Sequence, residues 1–249
     1  MTEPILKTEA KSDDDHIVYD LTNSSHTSNL FPKKVWKTHY QNALDELDKA
    51  EQLSTLQPFQ GEYKLRKEIS RYLERIRGVK CHPDQIIITI GLQQSLDYIC
   101  QFLGNTKRSV LMEDPSYPKA REIFKKNAYP IVTAEVDEKG LDLTKVDRSS
   151  EIEMIYTTPS HQFPLGMIMP ISRRRELLSF AEAYNSFILE DDYDSELRYY
   201  QRPIPALKSI DYLGRVIYLG TFSKILSPSF RMGYMVLPEQ FTESFLEKF

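Results

Sequence analysis

Seven short apolar, β-rich runs punctuate the chain, and segments with helical spacing alternate with them. The runs are Gln85–Ile90, Ser109–Met112, Tyr129–Glu135, Glu153–Thr157, Ser186–Leu189, Val216–Leu219 and Met232–Leu237. Between them, Leu92, Leu96, Ile99 and Leu103 recur on one helical face and stop at Gly104. Pro118–Asn127 has proline in its first turn, and Ser172–Tyr184 repeats the helical pattern. Ahead of the first run, Leu65, Ile69, Tyr72, Leu73 and Ile76 predict a helix from Tyr63 that Gly78 ends. Such alternation demands a largely parallel sheet with helices on both faces. The expected fold is therefore a three-layer α/β/α domain around a mostly parallel seven-stranded sheet. The run QIIITI predicts a strand buried on both faces, and Glu138–Gly140 a turn.

The 249 residues suffice for one sizeable core. Residues 1–16 predict a solvated tail, with Asp13, Asp14, Asp15 and His16 as part of it. Residues 17–60 are irregular apart from a helix within Val35–Leu53, and 61–249 form the main domain. Net charge is −4 and no long basic face suggests contact with nucleic acid. Arg173, Arg174 and Arg175 predict a solvated helix face. Cys81 and Cys100 form neither a metal-like pair nor a disulfide framework, which fits a reducing compartment. No apolar run suggests a leader or a membrane span, so the expected location is cytoplasmic.

In sheets of this kind, ligands bind at the carboxyl ends of the strands. Polar and aromatic residues follow five of the runs: Gly91–Gln94, Asp114–Tyr117, Thr158–Gln162, Glu190–Tyr193 and Thr221–Lys224. The last of these lies between two apolar runs that press Lys224 toward the interior. A buried lysine is costly unless its charge is removed or paired, and a Schiff base with an aldehyde removes it. Arg231, with the hydroxyls of Thr221 and Ser223, offers a site for a phosphate dianion. Lysine and phosphate site together match the needs of pyridoxal phosphate; an exposed basic loop is the alternative.

The junction at Gly91 opens a helix whose first N–H groups suit a phosphate, or it is an ordinary tight turn. Asp191 and Tyr193 share one face of their strand and can touch one flat ligand. A carboxylate beneath a pyridine nitrogen keeps it protonated, which makes the ring an electron sink. The alternatives there are a solvated acidic loop or a divalent-cation site, although a metal needs several oxygens to converge and neighbouring residues of a strand point to opposite faces. Tyr117 follows a turn proline and either stacks on a cofactor or packs in the core.

The series GLQQ, DPSY, TPSHQFPLG, EDDYDSE, GTFSK and a following Arg231 resembles the aminotransferase class I/II group of fold-type I pyridoxal-phosphate proteins. The longer forms TPSHQFPLGMIMP, ILEDDYDSELRY and VIYLGTFSKILSPSFRMGYMVLP are similar to the MocR-type regulators, including the GABA-responsive type. Those join a winged-helix DNA-binding domain to an aminotransferase-like domain. The resemblance runs from about Tyr19 to the end. It implies that Lys224 carries the cofactor, Asp191 pairs with the pyridine nitrogen and Tyr193 bonds the phenolic oxygen. It further implies that Tyr117 stacks on the ring, and that Leu92, Gln93, Thr221, Ser223 and Arg231 hold the phosphate. No metal is implied. Where the wider family has an asparagine that reaches the phenolic oxygen, this chain has Phe163, so His161 or Gln162 is the candidate substitute. Where the GABA-responsive regulators grip a carboxylate with arginine, this chain has Lys119, with Arg121 two residues on.

The resemblance also implies a homodimer, and contact with DNA only through a winged helix outside this chain. The small C-terminal domain of the family is expected to be missing after Phe249. Three functions follow as expectations: a sensor that binds an amino-acid-like effector, an aminotransferase acting on an amino acid and a 2-oxo acid, or a non-enzymatic remnant.

Overall fold

A computed structural model describes residues 31–50, 58–104, 107–147, 149–197 and 204–249, with the side chains of 47–50 left undescribed. The expected tail, its acidic cluster, most of the irregular segment and positions 51–53 lie outside the described residues. The chain divides into two units, Met1–Glu46 and Leu47–Phe249. In the first, the described residues belong mainly to helix α1 (Lys33–Ala50), ahead of which Phe31 packs its ring 5.5 Å from that of Trp36.

The second unit is built on one eight-stranded sheet. Its strands are β1 (Ile86–Thr89), β2 (Ser109–Asp114), β3 (Ile131–Asp137), β4 (Gly140–Leu141), β5 (Ile152–Thr157), β6 (Phe187–Asp192), β7 (Val216–Thr221) and β8 (Gly233–Val236). The order is β1-β8-β7-β6-β5-β2-β3-β4. Strands β3, β2, β5, β6 and β7 run parallel, while β8 lies antiparallel to both β7 and β1. The helices are α2 (Tyr63–Arg77), α3 (Leu92–Leu103), α4 (Pro118–Lys126), α5 (Ile171–Ala183) and α6 (Glu239–Lys248). Gly78 ends α2 in the left-handed region, φ 70°, and returns its N–H to the carbonyl of Leu73.

Strand parity sorts the core into layers. Val110, Met112, Met154, Tyr156, Leu189, Ile217 and Leu219 pack against Leu96, Ile99, Ala120, Phe124 and Phe245 of α3, α4 and α6. The intervening residues Leu111, Ile155, Ile188 and Val216 face Leu177 and Ala181 of α5. Ile86, Tyr218, Tyr234 and Val236 meet Ile69 and Leu73 of α2. Helices α3, α4 and α6 thus cover one face, and α2 and α5 the other.

The architecture is the expected three layers, with one strand more than the seven predicted. The eighth, β4, occupies the end of the predicted turn. Asp137 accepts the Lys139 N–H at 2.7 Å, and Gly140 at φ 95° lets two residues fold back on β3. Strand β3 starts two residues late because Tyr129 closes the preceding turn, where its hydroxyl donates to the carbonyls of Cys100 and Gly104. Strand β1 lies at the edge of the sheet and is covered on both faces, as its run predicts: Ile86 and Ile87, which belong to opposite layers, are fully buried, and exposure begins at Ile90, past its end. Strands β2, β6 and β7 each run two or three residues beyond their apolar runs, into Glu113–Asp114, Glu190–Asp192 and Gly220–Thr221.

The arginine run also departs from expectation. Only Arg175 is solvated. Arg173 is buried: it pairs with Asp137 at 2.7 Å and donates to the Leu141 carbonyl. Arg174 is fully buried. It donates to the carbonyls of Met169 (2.9 Å), Pro205 (2.9 Å) and Pro159 (2.8 Å), and its guanidinium lies 3.7 Å from Glu190. A buried guanidinium with this many acceptors is a structural rivet, and truncating it leaves a buried carboxylate without its cation. Arg174→Met is expected to lower stability by about 3–5 kcal/mol in urea denaturation. Arg175→Met, on the exposed face, should stay within about 0.5 kcal/mol of the parent.

Candidate functional site

The C-terminal edge of the parallel strands gathers the polar residues. Strand β6 carries three consecutive buried carboxylates there, Glu190, Asp191 and Asp192. Parity sends them to opposite faces. Glu190 accepts the N–H groups of Leu207 (2.7 Å) and Lys208 (2.8 Å) beside Arg174. Asp192 takes a two-pronged contact from Arg77 of α2, Nε to Oδ2 at 2.7 Å and Nη2 to Oδ1 at 3.3 Å, and a hydroxyl from Tyr218 at 2.5 Å. Arg77 also donates to Ser160 Oγ at 2.7 Å. The solvated acidic loop considered for this stretch is therefore not what forms.

Asp191 turns to the α3/α4 face. It is 4% exposed, and Tyr156 donates to its Oδ2 at 2.5 Å. Among the described residues no cation pairs with it. Burial, with Asp192, Asp194 and Glu113 nearby, pushes its carboxyl up to about 7. Among the described residues no group of three or more His, Cys, Asp or Glu side chains could hold a metal ion.

Tyr193 follows directly, half-buried, with its ring edge-on to Phe163 at 6.3 Å. Tyr117, at the N-cap of α4, meets the same Phe163 ring edge-on at 5.5 Å. Phe163 is thus the shared neighbour of two expected site tyrosines. Burial and the carboxylates of Asp194 and Asp191 push the Tyr193 hydroxyl well above its ordinary range.

Lys224 sits in the turn after β7 and is half-buried, not pressed into the interior as its flanking runs suggest. Strand β7 ends at Thr221, and the turn closed by Leu226 N–H to Phe222 O lifts the lysine past the sheet edge. Its charge helps lower the Asp194 carboxyl, against the upward push of burial. Thr221 and Ser223 are joined: the Ser223 N–H donates to Thr221 Oγ1 at 3.1 Å, and the two hydroxyl oxygens lie 2.9 Å apart.

Gly91, at φ 115°, caps α3, and it makes no side-chain capping bond to the first turn, where Leu92 and Gln93 begin the helix. Arg231, exposed and left-handed at φ 48°, reaches this end; its Nη2 lies 3.6 Å from where a Cβ on Gly91 would stand. Among the described residues no carboxylate pairs with Arg231. Gly233 closes the arrangement from β8: a Cβ there would come within 2.9 Å of Gly91 Cα and 3.1 Å of the Gly220 carbonyl. The result is a cationic side chain over an open helix N-terminus, with two hydroxyls on the neighbouring strand end.

The proposed stand-ins for the asparagine are otherwise engaged. Gln162 is buried, donates to the carbonyls of Pro115 and Phe163, both at 2.8 Å, and accepts the Leu165 N–H at 3.1 Å. His161 holds Asp194 at 2.8 Å through Nδ1. Lys119 pairs with Glu122 at 2.9 Å on the surface, and Arg121 is half-buried on the same helix. Sequence reasoning missed Tyr156, Arg77 and Glu113. Tyr156 was accessible in principle, because alternation in β5 puts it on the face that Asp191 shares. Arg77 and Glu113 act across 115 and 44 residues or more, and no local pattern marks them.

Comparison with known proteins agrees with this architecture. The family described as aminotransferase class I and II matches residues 21–247. An uncharacterized HTH-type transcriptional regulator of Bacillus subtilis, YdeL, is 44% identical over 211 residues, 85% of this chain and 45% of its own length. The probable rhizopine catabolism regulatory protein MocR of Rhizobium meliloti is 40% identical over 185 residues, covering 74% of this chain and 37% of its own. Among solved structures, Pyrococcus horikoshii kynurenine aminotransferase, in complex with PMP, superposes with a TM-score of 0.77 at 31% identity, over 88% of this chain and 55% of that one. The chain thus spans about half the length of the relatives it matches. It belongs to the aminotransferase class I and II family, as an aminotransferase-like domain homologous to those of MocR-type regulators.

Proposed function

We propose that this chain binds pyridoxal 5′-phosphate at the ends of β6 and β7, on Lys224. We further propose that it is the effector-sensing part of a MocR-type transcriptional regulator, in which an amino-acid-like effector competes with Lys224 for the cofactor. The observation that carries the reading is Asp191. Its two neighbours in β6 each have an internal cation, whereas Asp191 has a tyrosine hydroxyl and, among the described residues, no cation. A protonated ring nitrogen is the partner its position and chemistry suit. The second fit is Arg231 over the start of α3, where a phosphate dianion would meet the guanidinium, the Thr221 and Ser223 hydroxyls and the N–H groups of Leu92 and Gln93.

When bound, pyridoxal phosphate supplies an aldehyde for amines and a ring that withdraws electrons from an attached carbon. The chain's residues do the rest. Tyr156 fixes the Asp191 carboxylate, which retains a proton at the ring nitrogen. Tyr193 would place a hydroxyl beside the ring oxygen, and Tyr117 would lie against the ring. Lys224 would present the amine that holds the cofactor, and its free amine could accept or return a proton. This machinery also suits an aminotransferase, and the solved structures sharing the fold favour that second reading. The regulator relatives, at up to 44% identity, favour the first.

The proposed assembly is a homodimer. Ile90, Leu165, Ile225 and Phe230 are exposed, and each is next to, or within two residues of, a residue singled out here: Gly91, Phe163, Lys224 or Arg231. An apolar rim around a site is the kind of surface that a second copy covers. Sedimentation equilibrium showing monomers at all concentrations would remove this part. DNA contact is assigned to a winged helix elsewhere in the parent protein. Among the described residues no helix is long and apolar enough to cross a membrane.

Lys224→Ala should abolish the visible absorbance that develops when pyridoxal phosphate is added to the protein; a persisting band would exclude this lysine. With an amino acid and a 2-oxo acid supplied to the parent protein, spectral change without sustained product is expected; steady turnover would favour the aminotransferase. Asp191→Asn separates stability from binding. The carboxyl ionises near 7 in the folded chain, above its ordinary 3.8, so the folded state binds the extra proton. Its contribution is fully present below about pH 4 and is lost as pH rises through 7. The unloaded variant should therefore gain stability over the parent at pH 8, by about 2–4 kcal/mol, and match it below pH 4. Its affinity for the cofactor should fall at the same time. Unchanged affinity would take Asp191 out of the site.

A further inference from the structure

Glu113 ends β2 on the α5 face of the sheet, fully buried, and none of the roles above uses it. Among the described residues, every group in hydrogen-bond reach of its carboxylate is a donor. Thr157 Oγ1 is 2.5 Å from Oε1, Thr158 Oγ1 is 2.9 Å from Oε2, and Gln162 Nε2 is 3.3 Å from Oε2. The Thr158 N–H points at both oxygens from 3.4 Å. Burial drives the carboxyl up while these bonds oppose it. A carboxylate of this kind organises its surroundings, since each donor would otherwise be buried and unsatisfied.

What it organises leads back to the site. Thr158 Oγ1, held by Glu113, accepts the Phe163 N–H at 2.9 Å. Gln162, also held by Glu113, donates to the Phe163 and Pro115 carbonyls at 2.8 Å, so it grips the two segments that carry Phe163 and Tyr117. The Phe163 ring in turn stands edge-on to both Tyr117 and Tyr193. One buried carboxylate is therefore the common anchor of the loop after β2 and the loop after β5, and Phe163 carries its effect to the segment after β6.

We propose that Glu113, acting through Thr158 and Gln162, is a positioning residue that sets the aromatic walls formed by Tyr117, Phe163 and Tyr193 around the cofactor ring. This rests on the cofactor site proposed above. Phe163 belongs to the device: its ring spaces the two tyrosines, and its backbone is fixed by the clamp. Replacing the carboxylate with an amide keeps one acceptor oxygen for Thr158 and Gln162, while Thr157 can turn its hydroxyl to accept. Replacing it with an alkyl group removes every acceptor.

The test compares the parent chain with Glu113→Leu, Glu113→Gln and Gln162→Leu. Hydrogen exchange on the unloaded proteins is read by mass spectrometry, and pyridoxal phosphate is then added to measure its dissociation constant and induced circular dichroism. Glu113→Leu should speed exchange about tenfold in peptides covering 114–119 and 158–166, with strands β6 and β7 unchanged, and should weaken cofactor binding about tenfold with loss of the dichroic band. Gln162→Leu should reproduce this with Glu113 in place. Glu113→Gln should restore most of the band. If the parent binds cofactor and both leucine variants match it in affinity and dichroism, the positioning role is wrong. A uniform rise in exchange across the sheet would likewise overturn it, by making Glu113 a general stabiliser. A parent chain that exchanges as expected yet binds no pyridoxal phosphate would instead refute the cofactor site, and the positioning role with it.

Discussion

Three consecutive carboxylates in a central strand set the terms for the whole domain. An ionised carboxylate taken out of water costs several kcal/mol unless cations and donors meet it. Strand β6 meets that demand twice from one face. Arg174 reaches in from α5 to Glu190, and Arg77 reaches in from α2 to Asp192. The same two arginines bind the carbonyls of Pro159, Met169, Ile204 and Pro205, so the connections around the strand ends are fixed by the groups that neutralise the strand. Packing places α2 and α5 over the sheet, and these ion pairs fix where their ends lie along it.

Asp191 is the exception, and its isolation follows from the same geometry. The arginines come from the α2/α5 face; Asp191 looks to the other, where α3 presents its N-terminus, Tyr117 caps α4 and Tyr156 of β5 donates its hydroxyl. A carboxylate with only a hydroxyl for company stays near neutrality in its proton affinity. In stability terms that is a liability, because the unloaded chain holds a group that ionises reluctantly. In binding terms it suits a positive charge, since among the described residues no cation pairs with it. Alternation alone thus divides the stretch between two arginine-paired carboxylates and one that the proposed cofactor site would use.

Much of this was legible in the sequence, and the illegible part has one physical cause. Helices α2 and α3 declare themselves through Leu65–Ile76 and Leu92–Leu103 and their terminal glycines, because amphipathic spacing and stop signals are local. The strands were legible only as far as they are apolar. Glu190, Asp191 and Asp192 read as the start of a loop because carboxylates seldom continue a buried strand. They do so here through partners more than 100 residues distant in one case and 16 in another. Arg174 misread as solvated for the same reason. The weak helical pattern of α5 gave no hint that one arginine of three points inward, a choice made by Glu190. Lys224 erred in the opposite direction: apolar flanks suggested burial, but the turn from Phe222 to Leu226 carries the side chain past the sheet edge.

Alternation also explains why the register of β6 is so strongly specified. A slip of one residue would turn Asp191 toward Arg77 and send Glu190 and Asp192 to the α3/α4 face, away from both arginines. Two buried charges would lose their cations, while the site would hold two like charges in place of one. Hydrophobic parity alone would resist such a slip, since Ile188 and Leu189 belong to opposite cores. The ion pairs add a penalty of a different kind, because apolar residues can exchange faces with modest loss but a buried carboxylate cannot exchange an arginine for none. The two carboxylates paired with arginines therefore hold the third at the register that turns it to the α3/α4 face.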